Sequence, residues 1–127
     1  MIELAAYVVR SWRQRTYNTV RTHLLAQNQQ AIDENGHCCY RTTTPEGRVL
    51  KCAAGCLIPD DLYEPSMEGV NITAVLLNCE SLKERVGVRS VEDMGFLREL
   101  QRVHDNTAPS FWPTQLTALA ERWGLRP

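Results

Sequence analysis

Apolar positions along the chain follow two different spacings, and the switch between them sets the expected architecture. Near the N-terminus Leu4, Val8 and Trp12 stand four apart, with Ala5 and Val9 beside them. Side chains at that spacing share one face of a helix, so residues 2–12 are predicted to form one. A second helix is predicted from Thr16, as its N-cap, to Gln29, with Tyr17, Val20 and Leu24 as its apolar stripe. Asp33-Glu34-Asn35-Gly36 then makes a polar break.

The period changes next. Cys38-Cys39-Tyr40-Arg41-Thr42-Thr43 is rich in strand-compatible residues, and Arg48-Val49-Leu50-Lys51-Cys52 reads as the return strand. Between them Thr44-Pro45-Glu46-Gly47 places Pro and Gly where a type I turn prefers them. The pair is predicted to be a β-hairpin that brings Cys39 opposite Cys52. Ala53-Ala54-Gly55-Cys56-Leu57-Ile58 is small and apolar, a close-packed helical turn that Pro59 should stop at Ile58. Asp60-Asp61-Leu62-Tyr63 reads as another short turn, closed before Pro65.

Ile72 to Leu82 is predicted as a short helix, although its Ile, Thr and Val also suit a strand. Ser90 with Glu92 and Asp93 behind it signals a helix start, and Phe96, Leu97, Leu100, Val103 and His104 fall on one face. Asn106 to Pro109 ends that helix. Pro113 suits the first turn of a last one, with Leu116, Leu119, Ala120 and Trp123 inward and Gly124 as its cap. The expected fold class is α+β: a mainly helical single domain over residues 1–127, with one small β-hairpin. A lone hairpin is marginal in water, so it must pack on the helices.

Composition narrows the function classes. The 127 residues are 43% apolar and 23% charged, an ordinary globular profile, with a formal net charge of −1. That charge gives no global case for nucleic acid or for an acidic membrane as partner. The balance is uneven: Arg10, Arg13, Arg15 and Arg21 lie near the N-terminus, and Asp60, Asp61, Glu64 and Glu68 crowd the middle. The arginines are either a solvated helix face or a contact for an acidic partner. No apolar run approaches the ~20 residues of a membrane span, and the first segment does not resemble a signal peptide. Five cysteines, an odd number, are then expected as reduced thiols in a cytoplasm.

Four constellations could carry chemistry. His37, Cys38, Cys39, Cys52 and Cys56 include a Cys52-x3-Cys56 pair at zinc-ligand spacing, although small cysteines beside alanine and glycine also serve as packing residues. Cys56 follows Gly55 in a possible helical turn, where Lys51 and Arg41 would lower a thiolate pKa, and His104-Asp105 could supply a base. Chain neighbours on a helix do not face each other, so Asp105 is not expected to orient His104 directly. A binding pocket is the third, built from Arg41, Lys51, Asp60, Tyr63, Glu68 and His104, with Gly55 and Gly69 permitting close backbone approach to a ligand. Its plain alternative is that Arg41 and Lys51 pair with Asp60 or Glu68 and pin the hairpin to the following loop. The fourth is a DNA-reading helix using Asn18, Arg21 and His23, which lacks the tight turn such a motif needs. No glycine-rich phosphate loop is present, and no cofactor is expected.

Cys39-Tyr40-Arg41, the Pro45-Glu46-Gly47 turn, the run Lys51-Cys52-Ala53-Ala54-Gly55-Cys56-Leu57-Ile58-Pro59-Asp60-Asp61-Leu62-Tyr63, and Met67-Glu68-Gly69 resemble a family of small, functionally unassigned proteins of tailed bacteriophages and prophages. Leu100 to Asp105 and Phe111 to Leu125 are similar to the same family's C-terminal part. The resemblance implies origin and supplies no catalytic residue or cofactor. That origin, together with the small size and the lack of a recognisable catalytic set, leads to the expectation of a phage-encoded accessory protein in the host cytoplasm, binding and sequestering a host protein or a small nucleotide-type signal of antiviral defence. The alternatives are a small enzyme using Cys56 or His104 with Arg41 and Lys51 as anion stabilisers, and a zinc-stabilised interaction module.

Overall fold

In the computed structural model, residues 2–127 are described, with side chains from residue 10 onward. Leu4, Ala5, Val8 and Val9 of the expected first stripe lie outside the described side chains. The elements run α1 (Ile2–Gln27), β1 (Arg41–Thr43), β2 (Val49–Lys51), α2 (Ile72–Leu77), α3 (Glu80–Val86), α4 (Val91–Asn106) and α5 (Trp112–Arg122), with single 3-10 turns at Gly55–Leu57, Pro65–Met67 and Pro109–Phe111. The class is α+β and mainly helical, as the periodicity predicts.

One helix stands where two are predicted. Residues 2–27 hold neither glycine nor proline, and Arg13-Gln14-Arg15 are good helix formers, so nothing interrupts the first stripe before the second begins. Thr16 is therefore not an N-cap; it is buried in the helix interior. The helix stops at Asn28, which adopts φ 49° and donates its N–H to the Leu24 carbonyl at 2.8 Å. Asn tolerates this left-handed cap better than most residues.

α1, α4 and α5 pack at the centre of the core, to which Leu50, Cys52, Leu76 and Leu82 also contribute. Tyr17, Val20 and Leu24 are fully buried, as are Phe96, Leu116 and Leu119. Each such side chain contributes roughly 1.5–3 kcal/mol by leaving water. The Tyr17 hydroxyl is satisfied by the Leu116 carbonyl at 3.0 Å. At the upper end Arg13 lies over the Trp123 ring at 4.9 Å and pairs with Asp93 at 3.1 Å. Arg13 thus belongs to the helix packing, not to a solvated face.

The hairpin is shorter than the sequence suggests. Its register is Arg41↔Lys51, Thr42↔Leu50 and Thr43↔Val49. Extended by one position, Tyr40 rather than Cys39 faces Cys52, whose N–H reaches the Tyr40 carbonyl at 3.3 Å. α1 holds β2 by its backbone: Gln27 Oε1 accepts the Lys51 N–H at 2.9 Å, and Gln27 Nε2 donates to the Lys51 carbonyl at 2.9 Å. The 3-10 turn after β2 ends at Ile58, where ψ swings to 116° ahead of Pro59. Gly55 allows a close approach there, but to the chain's own backbone: a Cβ would stand 1.9 Å from the Tyr40 carbonyl oxygen.

Residues 72–82 do not form one helix. Asn71 caps α2 by accepting the Ala74 N–H at 2.9 Å, and the chain breaks at Asn78 and Cys79 before α3 begins. Gly87, at φ 95°, ends α3. Ser90 caps α4 as predicted, accepting the Asp93 N–H at 3.1 Å, and Gly124 follows α5 at φ 68°.

Candidate functional site

Five of the six residues singled out as a pocket do meet. Glu68 Oε1 accepts the Tyr40 N–H at 2.9 Å, and Oε2 accepts the Arg41 N–H at 3.2 Å and the Tyr63 hydroxyl at 2.7 Å. The Arg41 guanidinium lies 4.3 Å from the Tyr63 ring centroid. Arg41 and Lys51 converge on one Asp60 oxygen, at 2.9 and 3.5 Å. Lys51, then Arg41, hold the Asp60 carboxyl below its ordinary range. Two cations thus share one carboxylate, Glu68 accepts only from backbone N–H groups and the Tyr63 hydroxyl, and the buried Arg41 Nε has no partner among the described residues. The network ties the start of the hairpin to the 59–69 loop, and Asp60, its side chain 82% exposed, adds little stability of its own.

His104 sits elsewhere, fully buried in α4 and stacked on Trp112 with ring centroids 5.6 Å apart. Its Nε2 accepts the Ala31 N–H at 2.9 Å. The proton must then be on Nδ1, which reaches Asp105 Oδ1 at 2.7 Å. Sequence reasoning excludes this contact because helix neighbours diverge. Asp105 nonetheless folds back along the helix, where Gln101, four residues earlier, donates to the same oxygen at 3.0 Å. Gln101 in turn accepts the Ala54 N–H at 2.8 Å, so one chain of bonds links α4 to the hairpin corner.

The cysteines divide by environment. Cys56 is not activated by Lys51: burial outweighs that nearby charge and pushes its thiol up to about 12. Its Sγ donates to the Ala53 carbonyl at 3.1 Å. Burial likewise pushes Cys52 up to about 12. Neither is a thiolate at neutral pH, so neither is a poised nucleophile. Cys38 is pushed up to about 11 by desolvation and by the Asp105 carboxylate.

Of the expected cysteine cluster, only Cys38 joins a metal-capable group among the described residues. Its partners are His104 and Asp105, with ligand atoms within 4.8 Å of one another. The ring chemistry opposes a metal there. Nδ1 carries the proton given to Asp105, and moving it to Nε2 would set two N–H donors against each other at Ala31. On the helix considered for DNA reading, the His23 ring is engaged with the Lys51 carbonyl at 2.8 Å and is not free to meet a base.

Two open clefts were missed by the sequence, because their walls come from distant segments. The first, about 510 Å³, lies between α1 and the α3–α4 connection, and includes Trp12, Arg15, Thr19, Leu57, Arg85 and Arg89. The second, about 310 Å³, lies between α2 and the start of α4, and includes Leu77, Val91, Met94, Lys83, Arg89 and Arg98. Arg89 borders both. Leu77 and Val91 are 63% and 78% exposed, the two most exposed large apolar side chains among the described residues. The only sequence signal was the excess of arginine, which is read at α1 but not at residues 83–98.

No family model, curated protein or solved structure matches the chain. No described helix is long and apolar enough to cross a membrane.

Proposed function

We propose that this chain is a phage-encoded accessory protein that binds and sequesters a host protein, and that it does so through the cleft between Leu77 and Val91. One observation carries the reading. Two large apolar side chains stand exposed in one cleft whose border holds three cations, Lys83, Arg89 and Arg98, and no carboxylate. Burying Leu77 and Val91 against a partner releases apolar surface from water. The cations select a partner segment that carries acids beside its apolar side chains. Arg98 is already oriented by the Thr73 hydroxyl at 3.1 Å.

The reactive candidates favour binding over catalysis. His104 has both nitrogens engaged, and Cys52 and Cys56 are protonated. The resemblance to phage proteins supplies the host as the source of the partner.

Affinity capture from a lysate of the host bacterium tests the proposal. The chain is expected to retain one host protein at low salt, release it as salt rises, and lose it in the Leu77→Asp/Val91→Asp double variant. Equal capture by the double variant would overturn it.

A further inference from the structure

The first cleft carries a separate inference. On one side Trp12, Arg15 and Thr19 share a face of α1; on the other Arg85 and Arg89 flank the α3–α4 connection. The one carboxylate in its wall, Asp93, is already neutralised. It holds Arg13 at 3.1 Å and accepts the Arg89 N–H at 3.0 Å. Arg15 donates to the neutral Ser11 hydroxyl. Neither Arg15 nor Arg89 has a carboxylate partner among the described residues. Arg85 meets only Asp61, at 3.3 Å, and both side chains are more than half exposed. Such a pair is easily exchanged.

Three guanidinium groups therefore border a groove whose fixed negative charge is used up. Guanidinium forks match phosphate oxygens, and several cations suit a ligand with more than one phosphate. Beside the cations the wall is mixed: Thr16 and Thr19 are polar, and Trp12, Leu57 and Val86 make its apolar part. The Trp12 indole is pinned by its Nε1–H to the Val86 carbonyl at 2.8 Å, and Leu57 lies beside it. Gly87 keeps the connection close to that ring, since a Cβ there would stand 2.5 Å from the indole nitrogen. The volume, about 510 Å³, falls within the range of small-ligand pockets.

We propose that this groove binds a free nucleoside polyphosphate. Arg15, Arg85 and Arg89 hold the phosphates, and the ring lies on the wall made by Trp12 and Leu57. Asp61 competes with the ligand for Arg85 and so limits affinity. The groove shares Arg89 with the protein-binding cleft, but Arg15, Trp12 and Asp61 lie outside that cleft, so variants at these positions test the inference separately.

Isothermal titration at low salt tests it, with ATP, pyrophosphate, adenosine and a short single-stranded oligonucleotide as probes. ATP is expected to bind at one site, pyrophosphate more weakly, and adenosine not measurably. Arg15→Ala is expected to weaken ATP about tenfold, the loss of one charge-assisted contact. Asp61→Asn is expected to tighten it, a gain that a merely misfolded variant would not show. Absence of saturable ATP and pyrophosphate binding would overturn the proposal. So would ATP binding unchanged in the Arg15→Ala/Arg85→Ala double variant, with its thermal unfolding matched to the parent. Tighter binding of the oligonucleotide than of ATP would replace a free nucleotide by a nucleic-acid strand.

Discussion

The N–H of Ala31 donates to Nε2 of His104 across 2.9 Å, joining the loop after α1 to the interior of α4. This bond fixes the imidazole tautomer and makes His104 a structural link. His104→Ala leaves the Ala31 N–H without its acceptor and opens a cavity beside Trp112, so it should cost about 3 kcal/mol. Urea denaturation measures this. A cost under about 1 kcal/mol would mean the ring is not needed for stability. Nitrogen-15 spectra of the imidazole should also show the proton on Nδ1.

Gly55→Ala is the second prediction. The added methyl would collide with the Tyr40 backbone, which is itself held by Glu68 and by the pairing with Cys52. Backbone cannot move aside as a flexible side chain can. The variant should lose about 2 kcal/mol or more, seen as a lower melting temperature, whereas Gly69→Ala faces only the milder strain of φ 80°.

Glu68→Gln tests the hairpin anchor. Both carboxylate oxygens accept hydrogen bonds, so an amide must turn its NH2 toward a donor in either orientation. A loss of about 2 kcal/mol is expected, again by denaturation. Asp60→Asn should change stability far less, because that carboxylate is exposed.

Thiol chemistry gives the pH dependence. An unfolded cysteine ionises near ~8.5. In the fold burial pushes Cys52 and Cys56 up to about 12. Between those values the unfolded chain gives up protons that the native chain keeps. Stability from these groups is therefore complete below the unfolded pKa and is lost as pH rises through that window. Denaturation at pH 10 should show a less stable protein than at pH 7. At pH 8 Ellman's reagent should reach Cys52 and Cys56 only after denaturant is added; rapid reaction of either in the native protein would contradict their protonated state.

The sequence shows the fold class because its signals are local. Ser90, Pro113 and Gly124 mark helix ends by their own backbone chemistry, and the 44–47 turn is written in Pro45 and Gly47. Thr16 misleads because a capping residue is also tolerated inside a helix when no breaker precedes it. The break at Cys79 is invisible because no glycine or proline marks it. The Arg41, Lys51, Asp60, Tyr63 and Glu68 group is legible in one short stretch, but its mutual pairing depends on distances that the sequence does not give. The clefts are less legible still. Arg15 and Arg89 are 74 positions apart, and only the packing of α1 on the α3–α4 connection brings them to one groove.

The central claim is that the cleft between Leu77 and Val91 seats an acidic segment of a host protein. A photo-crosslinking residue placed at position 77, with position 49, an exposed apolar position outside the cleft, as the control, tests it in the host bacterium. The expected result is one adduct from position 77 alone, mapped to an acid-rich segment of the partner and lost when Lys83 and Arg98 are both changed to Glu. An adduct that survives this charge reversal, or none from position 77 above the control, would contradict the account.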